Sequence, residues 1–370
     1  MNFLHEALLY FPQRSGVCKC ELCSRGCVIL PSKQGEASAL LRGEQNLASL
    51  QKENIGFCGT RVNLNGKLYA INYGRVTSLA VDPVEKKPLY HFFPGGKLLS
   101  FGSFGCNFRC PNCHNWEISQ TSSLIHNQPA TLREITESFS EVEPAEIVNQ
   151  ALENDCVGIA YTYNEPTVFL EYALAVMKLA RKAKLQNVWV TNGFFSERAR
   201  ELILPLLDAV NVDLKSFDQR FYLSHCKGNL LPILKNIEAI NDGGTHLEIA
   251  TLVIPRLNDS EKILREIAGF IAKKLSKNVP WHLIDFSAPI SWQMQEWESA
   301  GKGKIAAAYK IGKAVGLNFV YASRLKNKSD TRCPNCGELN IKRSGYLVER
   351  FDENGSCQKC GQRLFMILGA

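Results

Sequence analysis

A chain of 370 residues, 45% hydrophobic and 21% charged, has the make-up of an ordinary globular protein and is not wholly disordered, fibrous or coiled-coil. Its formal charge of +7, from 43 Lys and Arg against 36 Asp and Glu, permits an acidic partner without calling for one, and no basic–aromatic stripe points to nucleic acid. Apolar runs fall short of the roughly 18 residues a membrane span needs. The opening MNFLHEALLYFPQRSG lacks a basic start and a small-residue cleavage site, so a cytoplasmic protein without a membrane segment is expected.

In chain order, residues 1–75 form a cysteine-rich region that holds Cys20, Cys23 and Cys27, with Cys58 following. The chain is long enough to bury a core without disulfide staples, so clustered thiols read as metal ligands. These four could hold zinc or a second iron–sulfur cluster, with Cys18 competing for a place. Residues 76–326 follow as the main domain. An apolar strand over 97–105 leads into Cys106, Cys110 and Cys113, a C-x3-C-x2-C group with three ligands and no fourth. An iron–sulfur cube held by three thiolates leaves one iron open to a non-protein ligand.

Beyond it, strands are expected over 157–163, 187–192, 209–215, 246–254, 279–286 and 319–323. Helices are expected over 144–154, 167–184, 196–207, 230–241, 260–276 and 302–315, with Pro144 at a first helical position and Ser196 and Ser260 as N-caps. Repeated strand–helix units imply an α/β fold with a parallel sheet and right-handed crossovers. About six units fit, which reads as a partial (β/α)6 TIM-type barrel. Polar residues recur at the strand ends: Tyr161 to Glu165, then Thr191 and Asn192, then Asp213 and Lys215, then Asn258 and Asp259. One such end is usually a cap or turn, but four in series beside the cysteine loop read as one polar pocket. His282 could face that pocket or the core, His91 reads as packing, and Phe92, Phe93 and Trp116 read as core or a cover for the cysteines.

Residues 327–370 close the chain with Cys333-x2-Cys336-Gly337 and Cys357-x2-Cys360-Gly361, separated by 20 residues. Two such knuckles complete a tetrahedron of thiolates, the pattern of a structural zinc ribbon. Its basic surroundings are weak evidence for a docking role. The outlying Cys156 and Cys226 read as small buried thiols.

Cys106, Cys110 and Cys113, followed one strand later by Asn164-Glu165-Pro166, resemble the radical S-adenosylmethionine (radical SAM) superfamily. The stretch GRVTSLAVDPVEKKPLYHFFPG over 74–95, Asn115 to Ser119, Asp213-Leu214-Lys215 and Leu252 to Pro255 look like its AmmeMemoRadiSam-system enzymes, relatives of the pyruvate formate-lyase activating enzymes. That resemblance spans nearly the whole chain. It implies a 4Fe-4S cluster on Cys106, Cys110 and Cys113 and S-adenosylmethionine on the open iron. Glu165 would accept from the cofactor's ammonium, Asp213 and Lys215 would lie near its ribose and carboxylate, and Asn112, Asn164, Thr191 and Asn192 would line its pocket. It also implies an electron donor such as flavodoxin or ferredoxin, and a partnership with AMMECR and Memo proteins. The chain departs from the family in three places. Tyr163-Asn164 replaces Gly-Gly before Glu165, Asn112 replaces an aromatic residue, and 35–52 reads as an insertion.

The expected activity is one-electron cleavage of S-adenosylmethionine and hydrogen abstraction from an unidentified substrate. Its rivals are a glycyl-radical-enzyme activase, a nucleic-acid-modifying radical enzyme docked through the ribbon, and a non-catalytic iron–sulfur electron carrier with Cys156 or Cys226 as fourth ligand.

Overall fold

A computed structural model of the chain describes residues 4–32, 51–121, 123, 139–322 and 324–369. The insertion expected over 35–52 falls almost wholly outside them. From residue 78 onward, short apolar runs alternate with amphipathic stretches, and each run forms a strand of one eight-stranded sheet. The strands are β1 (Ser78–Pro83), β2 (Lys97–Gly102), β3 (Gly158–Tyr161), β4 (Gln186–Thr191), β5 (Ala209–Asp213), β6 (His246–Val253), β7 (Trp281–Asp285) and β8 (Val320–Tyr321), and they lie side by side in chain order. β1 runs antiparallel to β2, whereas β2 to β8 are parallel. The connections carry α1 (Pro144–Glu153), α2 (Leu170–Lys182), α3 (Glu197–Ile203), α4 (Leu230–Asp242), α5 (Glu261–Phe270) and α6 (Gly301–Val315). Residues such as Leu98, Leu99, Val188, Trp189, Val210 and Val212 are buried along the strands, as expected of a parallel sheet covered on both faces.

The helix starts follow their sequence signals. Pro144 opens α1, Ser196 Oγ accepts from Ala199 N at 3.1 Å, and Ser260 Oγ accepts from Ile263 N at 3.3 Å. Three expected helices are shorter than their apolar periodicity. Pro166 opens a tight turn over Pro166–Phe169 before α2 begins. Pro205, lacking an N–H, leaves only a tight turn after α3, and the tail of α5 widens over Ile271–Leu275. β5 also stops at Asp213 rather than 215, because Leu214 N turns back onto Val212 O. No helix among the described residues is long and apolar enough to cross a membrane.

The N-terminal region adds two small antiparallel sheets. The ion pair of Arg61 with Glu171 of α2, 2.7 Å long and almost fully buried, ties one of them to the main sheet. Removing one partner of such a pair strands a buried charge, at a cost of about 3–5 kcal/mol.

The segment between β1 and β2 lies on the sheet face that also carries the polar strand-end residues. Its Val84, Leu89 and Phe92 pack on Leu98, Ala160, Val188 and Ala209, and Asn211 Nδ2 donates to Pro88 O at 2.7 Å. Phe92 is therefore core at the N-terminal ends of the strands and no cover for the cysteines. The buried Glu248 accepts from the Tyr90 and His91 amides at 3.0 and 2.7 Å, and bonds His246 at 3.0 Å and His282 at 2.6 Å. His282 thus belongs to this buried cluster. Beneath it docks the three-stranded module of Thr331–Arg332, Leu339–Ser344 and Leu347–Arg350. His91 bridges the two bodies, with Nδ1 2.9 Å from Leu364 O and Nε2 2.6 Å from the Tyr321 hydroxyl, while Arg343 donates to Tyr90 O and Thr331 Oγ1.

Burial pushes the His91 pKa down from 6.5 to about 3, among Glu248, Arg343, His246 and His282. The unfolded chain therefore binds a proton at His91 over a window where the folded chain does not, so stability falls as pH drops below 6.5. The loss is up to about 1.4 kcal/mol per pH unit. Glu248 is held well below the carboxylate range by His246 and His282 against the effect of burial, and its contribution is lost at lower pH still. Denaturant unfolding across this range is expected to show the slope in the wild type and a flatter one in His91→Gln; equal slopes would refute the assignment.

Candidate functional site

The loop after β2 carries Cys106, Cys110 and Cys113, and its course depends on glycine at 105. Gly105 has φ +87°, and a Cβ there would sit 2.5 Å from the carbonyl oxygen of Cys58. The loop and the N-terminal region therefore touch backbone to backbone. Arg109 fastens the contact by donating to Cys106 O at 3.0 Å and to Phe57 O, and its guanidinium lies 4.0 Å from the Phe57 ring centroid.

All three cysteines line one cavity of about 530 Å³. Asn112 lines it with them, held by a 2.8 Å bond from Oδ1 to His225 Nε2. The strand ends supply the other expected residues: Asn164 and Glu165 after β3, Thr191 and Asn192 at β4, Asp213 and Lys215 at β5. Asn258 and Asp259 do not join them. Asn258 is buried, accepting from Ile254 N and donating to Lys215 O and Leu252 O, and Asp259 pairs with Lys304. Tyr161 also turns away, its hydroxyl bonded to Asn187.

Glu165 is the hub of the rim. Its Oε1 accepts from Thr167 N, Thr167 Oγ1 and Thr191 Oγ1 at 3.1, 2.6 and 2.8 Å, and Oε2 accepts from Asn192 N at 2.8 Å. Burial raises its pKa despite these donors. Asn164 clamps the cysteine loop, accepting from Ser103 N at 3.1 Å and donating to Gly105 O at 2.8 Å, while Asn192 Nδ2 donates to Asn107 Oδ1 at 2.8 Å. The side chains of Asn164, Thr191 and Asn192 thus position their neighbours as well as lining the cavity. Lys215 Nζ lies 2.8 Å from Asp213 Oδ2, and this carboxylate keeps the ammonium charged against the effect of burial.

The three thiols are held above their ordinary range. Burial does this for Cys106 and takes Cys113 to about 11, whereas for Cys110 the largest cause is a hydrogen bond with Cys226, followed by burial. A buried thiolate set needs cationic charge to exist, which a metal centre supplies. Cys226, weighed from the sequence as a fourth ligand, does meet this region, while His225, Lys86 and Lys87 reach it without a signal in the sequence, because loops and turns with no periodic pattern bring them there. Cys156 is buried on the turn before β3.

In the N-terminal group, Cys20, Cys23 and Cys27 have thiols pushed up by burial and by one another or Cys58. Cys18 stands apart, raised by burial alone and donating to Gly66 O at 3.2 Å. The strand bridge from Cys23 to Phe195 fastens this group to the loop after β4. At the other end of the chain, Cys333, Cys336, Cys357 and Cys360 bring their sulfurs within 4.8 Å of one another, a set that can hold a metal ion. Burial works to raise Cys357, but backbone N–H groups of Lys359 and Cys360 and the Asn340 amide bring it down to about 6.

The Radical SAM superfamily model matches residues 101–267. The chain is 33% identical, over 99% of its length and 100% of the relative's, to an uncharacterized protein of Methanocaldococcus jannaschii. It is 23% identical to the pyruvate formate-lyase-activating enzyme of Clostridium pasteurianum, over 54% of this chain and 83% of that one. It is also 24% identical to the 7-carboxy-7-deazaguanine synthase of Thermococcus kodakarensis, over 58% of this chain and 83% of that one.

Gly105→Ala is expected to lower unfolding stability by about 2–4 kcal/mol, from overpacking and a positive φ together. Stability within 0.5 kcal/mol of wild type, about the range of an inert surface change, would show that the two backbones are not tightly apposed.

Proposed function

The chain belongs to the radical SAM superfamily and is a radical SAM enzyme; from that premise we propose that its cavity holds a 4Fe-4S cluster on Cys106, Cys110 and Cys113 with S-adenosylmethionine beside it. The donor set supports the fit: three thiols on one loop line the same cavity. Bound there, the two groups would supply one-electron reductive cleavage of the sulfonium and hydrogen abstraction from carbon.

The chain's own part is positioning and exclusion of water. Glu165, fixed by four donors, would use the remaining lone pair of Oε2 to accept from the cofactor's ammonium. Asp213 and Lys215, already paired, would lie toward its ribose and carboxylate, and Asn112 would stand where the family carries an aromatic residue. Asn164, Thr191 and Asn192 hold Glu165 and the cysteine loop in register. We read the consecutive parallel strands as an open partial barrel of six strand–helix units, with the site at the strands' C-terminal ends. The C-terminal knuckles read as a structural zinc ribbon, and the N-terminal four cysteines as a zinc site or a second cluster. A flavodoxin- or ferredoxin-like protein would supply the electron. The name of the Clostridium pasteurianum relative supports action on a partner protein, and AMMECR and Memo proteins are the partners to test.

Cys226, whose carbonyl accepts from Arg109 N at 3.0 Å in the cysteine loop and whose thiol acts to raise the Cys110 pKa, favours a second reading, an electron carrier whose cluster takes Cys226 as a fourth ligand. Anaerobic reconstitution with iron and sulfide, reduction, and chromatography of 5′-deoxyadenosine separate the two. The enzyme is expected to form deoxyadenosine in the wild type and in Cys226→Ala but not in Cys110→Ala. A cluster that forms without any deoxyadenosine would favour the carrier. Metal analysis of the same sample is expected to find about four irons with zinc, or about eight if the N-terminal group is a cluster.

A further inference from the structure

The cavity has a basic wall that this reading leaves unused. Lys86 and Lys87, from the segment between β1 and β2, line it together with Tyr163. Both lysines share one carboxylate. Lys86 Nζ lies 2.7 Å from Asp82 Oδ1 and Lys87 Nζ 2.6 Å from Oδ2, and the Tyr163 hydroxyl donates to Oδ2 at 2.7 Å. Two ammonium groups on one carboxylate leave a positive charge over. Lys86 is 44% exposed and shares that charge with solvent, whereas Lys87, only 3% exposed, holds its ammonium on the cavity wall against Asp82. Elsewhere in the cavity Asp213 and Lys215 neutralise each other.

Tyr163 supplies a second, independent observation. Its φ is +69°, a left-handed conformation that glycine adopts freely and a bulky side chain resists. Glycine stands at this place in the superfamily element that the 163–166 stretch resembles. Here the backbone keeps glycine's conformation while carrying a phenol, and that phenol reaches Asp82 with its ring centroid 4.7 Å from Lys87 Nζ. A strained residue persists where its side chain is needed.

We propose that Lys87, Lys86 and Tyr163 recognise an anionic group of the substrate, a carboxylate or a phosphate, on the wall formed by the segment between β1 and β2. The anion would neutralise the surplus ammonium charge, with Asp82 holding both lysines in place. The inference rests on the cofactor reading for what fills the cysteine side of the cavity, and its ligand contacts use other residues.

The test uses the full chain and two probes, inorganic phosphate and acetate, at constant ionic strength. A ligand that binds only the folded state raises the unfolding midpoint with its concentration, so thermal unfolding reports an apparent affinity. One probe is expected to raise the wild-type midpoint, and which one does so identifies the anion class. Lys87→Met and Lys86→Met are each expected to weaken that response about tenfold, the loss of one charge-assisted contact. Tyr163→Gly removes the strained conformation, so it is expected to unfold no more easily than wild type while also responding less. A wild type indifferent to both anions, or Lys87→Met and Tyr163→Gly that respond as wild type does, would overturn the proposal. Deoxyadenosine formation by the wild type from the same preparation decides the cofactor reading separately.

Discussion

One buried carboxylate organises the rim of the cavity. Glu165 accepts from two groups of Thr167, from Thr191 and from the Asn192 amide, and so joins the end of β3 to the end of β4. Its neighbour Asn164 reaches the other way to Ser103 and Gly105, joining β3 to the loop after β2. Two consecutive side chains therefore set the relative positions of three strand ends and of the cysteines that follow Gly105. A carboxylate taken so far out of water is tolerable only with its oxygens this well satisfied, which makes the arrangement stiff as well as polar.

The opposite end of the sheet uses the same device for another purpose. Glu248 gathers two histidines and two backbone amides, and the interface beyond it runs through His91, Tyr321, Thr331 and Arg343 into the C-terminal module. This polar interface separates the four-cysteine set from the cavity, at the far ends of the strands. The geometry suits a module that caps the sheet.

Much of the architecture was legible in the residues. Pro144, Ser196 and Ser260 marked helix starts because capping is decided within a single turn. The strands fell within a few residues of their apolar runs. Errors appeared where a local event interrupts a periodic pattern: Pro166 and Pro205 tightened helix ends, and the turn at Leu214 stopped β5 early. The polar strand ends were visible, but their roles were not separable. Asn258 reads like Asn192 in the sequence, yet it faces a loop, where its amide stitches Ile254, Leu252 and Lys215 together.

The sequence by itself determined the donor groups and the order of the parts: three clustered thiols before a strand–helix series, a Glu-Pro element one strand later, and knuckle pairs whose sulfurs can hold a metal ion. These are short-range properties, set by covalent spacing and by the periods of helix and strand. Only the tertiary structure decided which groups meet across long separations. It put Cys226 against Cys110, Cys58 against Gly105, and Lys86 and Lys87 in the cavity beside a Tyr163 that holds a glycine's conformation. Such meetings depend on how loops without any periodic signal cross the sheet, and no residue spacing along the chain encodes that.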